Sequence, residues 1–122
     1  MIIGTGIDII EVERIEKAAQ KRAFIERIFT SAEQEYFIKK NNNSQTIAGV
    51  FAAKEAVAKA LGLGFGAIKW TDIEIQHDEN GKPCAVLHGG AKERLDELAG
   101  KRVHVSISHI KQLAAAQAIA EG

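Results

Sequence analysis

The sequence predicts an α+β fold: a single domain, residues 1–122, with an antiparallel sheet packed around one long central helix. Three observations predict it. Ile47 to Leu61, IAGVFAAKEAVAKAL, is rich in Ala, Leu, Lys and Glu and has no broad polar face, so it is a helix buried on most sides. Residues 1–10, 70–76, 84–87 and 103–107 alternate with the two-residue period of strands. The order is one strand, three helices and then mostly strands, which suits helices gathered on an antiparallel sheet.

Residues 1–10, MIIGTGIDII, place Ile3, Thr5, Ile7 and Ile9 on one face and Ile2, Gly4, Gly6, Asp8 and Ile10 on the other. The isoleucine side reads as the apolar face. The other is largely stripped of side chains, as where a backbone or ligand comes close. Asp8 on that stripped face reads equally well as a helix N-cap and as a carboxylate aimed into open space. A helix follows from about Glu11 to Gln20, with Val12, Ile15 and Ala19 inward. Arg14, Lys17 and Lys21 form a narrow outer stripe, either a solvated face or a docking stripe for an acidic partner. Phe24 to Phe29 supply apolar anchors. Thr30 caps the next helix with Glu33 as capping-box partner, and that helix ends near Lys40 before an Asn-rich loop.

The long helix begins at about Gln45. Ile47, Val50, Phe51, Val57, Ala58 and Leu61 form its large apolar stripe; Ala48, Gly49, Ala52, Ala53, Ala56 and Ala60 form a small-residue side. Lys54 falls within the apolar stripe, and Glu55 and Lys59 lie on the boundary. An unpaired buried ion costs several kcal/mol, so each needs a partner or a water-filled opening. One reading is a Glu55–Lys59 pair with Lys54 reaching for solvent; the other is a cleft in which Glu55 binds a metal and the lysines bind anions. Gly62, Gly64 and Gly66 end the helix as a C-cap and turns, or let a phosphate approach backbone. Trp70 to Gln76 and Cys84 to Leu87 read as strands joined at Asn80-Gly81. Gly90 to Leu98 is a short helix, Val103 to Ile107 a strand, and Leu113 to Ala120 a small-residue strand with helix as the alternative.

Composition excludes several classes. The formal net charge is zero, with 16 basic and 16 acidic residues, which argues against general nucleic-acid binding. No run of eighteen apolar residues is present and no signal peptide is expected, so no membrane association is expected. Cys84 is the only cysteine, so a cytoplasmic protein without disulfides is the simplest expectation. His77, His88, His104 and His109 lack zinc-ligand spacing, and no nucleophile elbow occurs. Asp8, Glu55 and Lys59 remain: few oxygen ligands beside a cation, the pattern of a Mg²⁺–phosphate site.

Ile7-Asp8, followed after 42 residues by Phe51-Ala52-Ala53-Lys54-Glu55-Ala56-Val57-Ala58-Lys59, closely resembles the two-part signature of the 4'-phosphopantetheinyl transferases. Thr30 to Glu33, Asp72 to Ile75, Asn80 to Pro83 and Val105 to His109 extend the likeness over nearly the whole chain, to the small single-domain bacterial members. The resemblance implies transfer of the phosphopantetheine arm of coenzyme A to a serine of an apo acyl carrier protein, releasing adenosine 3',5'-bisphosphate, in fatty acid biosynthesis. It implies Asp8 and Glu55 as Mg²⁺ ligands, with Lys59 as the third catalytic residue. Lys54, Lys59, Gly62, Gly64 and His109 would bind the cofactor, and Arg14, Lys17 and Lys21 would dock the carrier. It also implies a homotrimer with sites at subunit boundaries. Val50 stands where relatives often carry arginine, so phosphate contacts would be redistributed here, to Lys54 among others. The alternative function is a non-catalytic, metal-stabilised oligomeric module that binds a nucleotide or carrier protein without turnover.

Overall fold

The computed structural model describes residues 1–122 and has an α+β architecture. In chain order its elements are β1 (Ile2–Glu11), α1 (Val12–Ala18), α2 (Arg22–Ile28), α3 (Ser31–Lys39), α4 (Ser44–Ala60), a short 3-10 turn (Trp70–Asp72), β2 (Ile73–His77), β3 (Pro83–Leu87), α5 (Gly89–Glu97), β4 (Arg102–His109) and β5 (Leu113–Glu121). The strands form two antiparallel sheets where one was expected: β1-β5-β4, and the separate hairpin β2-β3. One continuous apolar core runs from Val12 to Ala120 with α4 at its centre. No helix is long and apolar enough to cross a membrane.

Small residues set the position of α4. A Cβ on Gly4 would lie 2.0 Å from the Ala60 carbonyl oxygen, and one on Gly6 would lie 1.9 Å from that of Ala56. The neighbouring strand continues this flat surface with Ala114, Ala116, Ala118 and Ala120, all buried. The register Gly6↔Ala118 and Asp8↔Ala116 shows that glycine and alanine rows align under the helix. This reverses the expected facing of β1. Ile7 and Ile9 are 69% and 64% exposed, while the glycine face turns inward. A helix presenting methyl groups needs a surface without side chains to pack closely, and only the glycine face offers one. The same demand settles the last segment as strand rather than helix, because its inward alanines complete that surface.

The first helix is shorter than expected, and Glu11 rather than Asp8 occupies its N-cap. Asp8 remains within the strand. At Thr30 the expected capping box is present in both directions, with Glu33 N–H donating to Thr30 Oγ1 and Thr30 N–H donating to Glu33 Oε1. Glu33 does more than cap. Its Oε2 accepts from the Ile75 N–H at 2.7 Å, and its Oε1 takes the Lys54 ammonium at 2.5 Å; Lys54 also donates to the Ile73 carbonyl at 2.7 Å. A side-chain ion pair thus supplies the donor and acceptor that a further strand would supply to the open edge of β2. Burial pushes the Glu33 carboxyl up and the Lys54 ammonium down from their ordinary values, and each partner offsets part of this for the other. Removing one partner of a buried pair costs on the order of 3–5 kcal/mol.

If the glycine–helix contact sets this packing, Gly6→Ala destabilises the fold by about 3 kcal/mol, the upper end of overpacking costs. Gly66→Ala, where nothing lies within 4 Å, stays within about 0.5 kcal/mol of the parent. Urea unfolding midpoints decide it; equal midpoints would show that α4 can back away from the sheet freely.

Candidate functional site

Asp8 reaches the site because it is the first side chain beyond Gly4 and Gly6 on the inner face of β1. Glu55 and Lys59 reach it from α4, one turn apart, on the flank that meets β1. Arg14 comes from the first turns of α1. Asp8, Arg14 and Glu55 line a cleft of about 220 Å³ walled by Ile10, Phe24 and Phe51, and Lys59 borders a shallower one on the other side of Asp8 with Thr5, Gly6, Ile7 and Gln117. Phe24 stacks on Phe51 with ring centroids 6.1 Å apart, and Phe51 stacks on Trp70 at 5.0 Å, so the apolar wall is continuous with the core.

The electrostatics of the cleft are those of a carboxylate pair. Burial raises the Glu55 carboxyl above its ordinary value; the charge of Asp8 and a hydrogen bond shared with it raise it further, while Lys59 and Arg14 pull it back. Lys59 does not turn toward Glu55. Its ammonium lies 3.3 Å from Asp8 Oδ1 and donates to the Ile7 carbonyl at 2.9 Å, so in place of the Glu55–Lys59 pair, one of the two readings, there is a tie between α4 and β1. A half-buried carboxyl raised by burial and by a neighbouring carboxylate fits a divalent cation, because added positive charge favours its charged form. Both donors are oxygen, and no third His, Cys, Asp or Glu joins them. That donor set suits Mg²⁺, which keeps waters and substrate oxygens in its remaining positions.

The other anticipated residues separate into distinct places. Lys54 was expected to meet the cofactor; it is wholly inaccessible and bonded to Glu33 and Ile73, so it offers nothing to a phosphate. An ammonium in the apolar stripe of a helix buried all round can keep its charge only with an internal partner, and Glu33 is that partner. The consequence for Val50 is direct: Lys54 cannot take over an arginine's contacts from that position. Gly62 follows α4 in the left-handed region, at φ 68°, and Gly64 has open space around it. Neither lines the Asp8 cleft. Phe65, between Gly64 and Gly66, stacks on Trp70 with centroids 3.6 Å apart. His109 lies across α4 from Glu55, in a second cleft of about 180 Å³ with Gln45, Val50, Tyr36, His77 and Pro83.

Of the basic stripe, Arg14 lies in the carboxylate cleft. Lys17 and Lys21 instead line an adjoining cleft of about 550 Å³ with Arg27, and Ala18 and Phe24 are common to both. Lys17 also pairs with Glu13 at 3.3 Å. Sequence reasoning missed Phe24 and Arg27 as site residues, although both sit in the segment it marked as apolar anchors. It also missed the second function of Glu33 and the Tyr36–His77 stack, whose ring centroids are 3.9 Å apart. No local signal announces contacts between residues this far apart in sequence.

A family model described as the 4'-phosphopantetheinyl transferase superfamily matches residues 4–118. The chain is 54% identical over 121 residues to a holo-[acyl-carrier-protein] synthase of Alkaliphilus oremlandii, covering 98% of the chain and 99% of that relative. Its fold is similar to the crystal structure of the holo-[acyl-carrier-protein] synthase of Neisseria meningitidis, with a TM-score of 0.88, 37% identity and complete coverage of both chains. The Helicobacter pylori holo-[acyl-carrier-protein] synthase in complex with coenzyme A is similar too, with a TM-score of 0.83, 33% identity, and coverage of 96% of this chain and 99% of that one.

Burial, and then the charge of Lys40, push the His77 imidazole below its ordinary value of 6.5 against the pull of Asp78, and its Nδ1 is buried without a partner. The folded chain therefore holds His77 neutral where the unfolded chain protonates it. The stability this site supports is present above pH 6.5 and is lost as pH falls through that value toward the lower folded one. His77→Phe keeps an aromatic ring on Tyr36 and removes the titration. Between about pH 7 and about pH 5 its unfolding free energy should fall less than the parent's. Chemical denaturation across that range checks this; parallel pH profiles for the two proteins would rule it out.

Proposed function

The chain belongs to the 4'-phosphopantetheinyl transferase superfamily, and from that premise we propose that it transfers the 4'-phosphopantetheine arm of coenzyme A to a serine of an apo acyl carrier protein. The by-product is adenosine 3',5'-bisphosphate, and the reaction serves fatty acid biosynthesis in the cytoplasm. The observation that carries the reading is the Asp8–Glu55 carboxylate pair, flanked by Lys59 and Arg14 and opening onto a basic cleft. In the reaction the serine Oγ forms a bond to the pantetheine-side phosphorus and its proton passes to solvent. The phosphorus–oxygen bond to the other phosphate breaks, and its electron pair leaves with the bisphosphate.

Asp8 and Glu55 would hold Mg²⁺, which when bound supplies charge neutralisation and polarises the attacked phosphoryl group. Lys59 is steered rather than free. Bonds to the Ile7 carbonyl and Asp8 hold its half-exposed ammonium beside the carboxylates, leaving donor capacity for a phosphate oxygen. Phe24, Phe51 and Ile10 make a wall suited to the apolar part of the pantetheine arm and keep bulk water from one side of the reacting groups. Lys17, Lys21 and Arg27 present an exposed basic surface to an acidic carrier, with Ala18 and Phe24 at the passage into the carboxylate cleft.

The second cleft, with His109, Gln45 and Thr46, would take the nucleotide end of the cofactor. It flanks α4 on the side opposite Asp8, so one long cofactor spans both clefts most simply when they come from neighbouring subunits. A homotrimer meets that requirement. Its support here is the outward face of the β1-β5-β4 sheet, where exposed Ile7 and Ile9 lie beside Ala115 and Gln117. Large exposed isoleucines grouped at one edge of a sheet face are the mark of an interaction surface.

The direct test is intact-mass spectrometry of an apo carrier protein incubated with this protein, coenzyme A and Mg²⁺. The carrier gains one phosphopantetheine mass, EDTA abolishes the gain, and Glu55→Gln lowers the rate about 100-fold or more with the fold kept. No gain over several carrier proteins would leave the non-catalytic binding module as the better reading. Docking is best tested away from Arg14, because a substitution there also alters the field on Glu55. Lys21→Glu should raise the KM for the carrier several-fold and leave that for coenzyme A unchanged; a change confined to coenzyme A would mean that the carrier docks elsewhere.

A further inference from the structure

Lys54 precedes the proposed metal ligand Glu55 by one residue and points to another side of the same helix, about 100° round. Its ammonium, shut off from solvent, meets Glu33 Oε1 at 2.5 Å and the Ile73 carbonyl at 2.7 Å, and it lies over the Phe29 ring at 5.5 Å. Glu33 in turn holds the Thr30 and Ile75 N–H groups at 2.8 and 2.7 Å. One point therefore fastens the start of α3, the edge of β2 and the middle of α4. Where it faces the sheet, α4 presents small residues, Gly49, Ala56 and Ala60 among them, with Lys59 tied to Ile7 and Asp8 near one end, while Ile47, Val50, Phe51 and Val57 pack on its other sides. Methyl contacts have little directional preference, so they fix how close the helix lies but only weakly how it is turned. A hydrogen-bonded ion pair is directional.

We propose that the buried Glu33–Lys54 pair is a positioning unit for the reaction: it sets the rotation of α4 and thereby the distance at which Glu55 and Lys59 meet Asp8. A turn of about 10° moves a carboxylate about 6 Å from the helix axis by roughly 1 Å. A misplacement of that size costs on the order of 100-fold in rate. The proposal rests on the transferase reading and adds to it two residues that touch neither substrate nor metal.

The test removes the pair without stranding a charge. In Glu33→Gln combined with Lys54→Met, glutamine keeps one acceptor, for the Ile75 N–H, and can donate to the Ile73 carbonyl while giving up the bond from the Thr30 N–H, and methionine fills the lysine's path. Mn²⁺ serves as the probe, its affinity read by electron paramagnetic resonance on the protein without coenzyme A. The double variant should unfold cooperatively in urea, bind Mn²⁺ at least about 10-fold more weakly and lose at least about 10-fold in kcat. Its KM for the carrier should stay the same, because the docking surface lies on α1 and α2. Parent-like Mn²⁺ affinity and kcat in a folded double variant would overturn the proposal and leave the pair a purely structural bond. If the double variant does not fold, Glu33→Asp takes its place: it keeps the charge but draws the carboxylate back by one methylene. Weakened Mn²⁺ binding in the folded Asp variant supports positioning, and unchanged binding refutes it. Should the parent transfer nothing to any carrier, the transferase reading fails on its own, and the Mn²⁺ comparison still decides the role of the pair.

Discussion

The structure depends on one close approach: α4 lies against a sheet surface from which side chains have been removed. The carbonyl oxygens of Ala56 and Ala60 occupy the places where Gly6 and Gly4 would carry methyl groups. Packing this tight brings α4 near enough to the backbone of β1 for Lys59 to bond the Ile7 carbonyl and Asp8. It also leaves Asp8 as the first functional group beyond the glycines. Were β1 to face the helix with its isoleucines, the helix would stand off by the depth of those side chains. Asp8 would then point to the opposite side. The carboxylate pair is thus a product of backbone packing.

Two sets of charges sit on α4, and the contrast between them separates structure from chemistry. Lys54 and Glu33 are fully buried, and between them they satisfy one another and three backbone groups. Asp8 and Glu55 are only partly compensated by Lys59 and Arg14, and burial, with the charge of Asp8 added to it, holds the Glu55 carboxyl above its ordinary value. A satisfied buried pair specifies geometry; an under-compensated one at the mouth of a cleft invites a cation and an anionic ligand together. Phe24 joins the two clefts on this side of the molecule, so the basic surface and the carboxylates form one continuous path.

Much of this was legible in the chain. The buried character of residues 47–61 followed from the lack of a polar face, and the capping box at Thr30 from its spacing to Glu33. The glycines of β1 correctly announced a close approach, yet which face of β1 turned inward was misread. Isoleucine on one side and glycine on the other look, locally, like a core face and an exposed face. The preference reverses only because the partner helix is itself faced with alanine. Lys54 was misassigned for a related reason. Its sequence position shows that a buried lysine needs a partner, but that partner lies 21 residues away on another helix, and nothing in either segment names the other.

The sequence by itself determined most of the helices and strands and their order, though not α2 or the strand state of the last segment, the demand that three charges on a buried helix be compensated, and Asp8, Glu55 and Lys59 as candidates for a metal and phosphates. These are properties of periodicity, propensity and desolvation, which are read within a segment. Tertiary structure alone decided the pairings: Lys54 with Glu33, Lys59 with Asp8, His109 apart from the carboxylates, and Arg27 and Phe24 beside the basic stripe. Each is a choice among several chemically acceptable partners, settled by how α4 packs on glycine and alanine on one side and on α3 and β2 on the other.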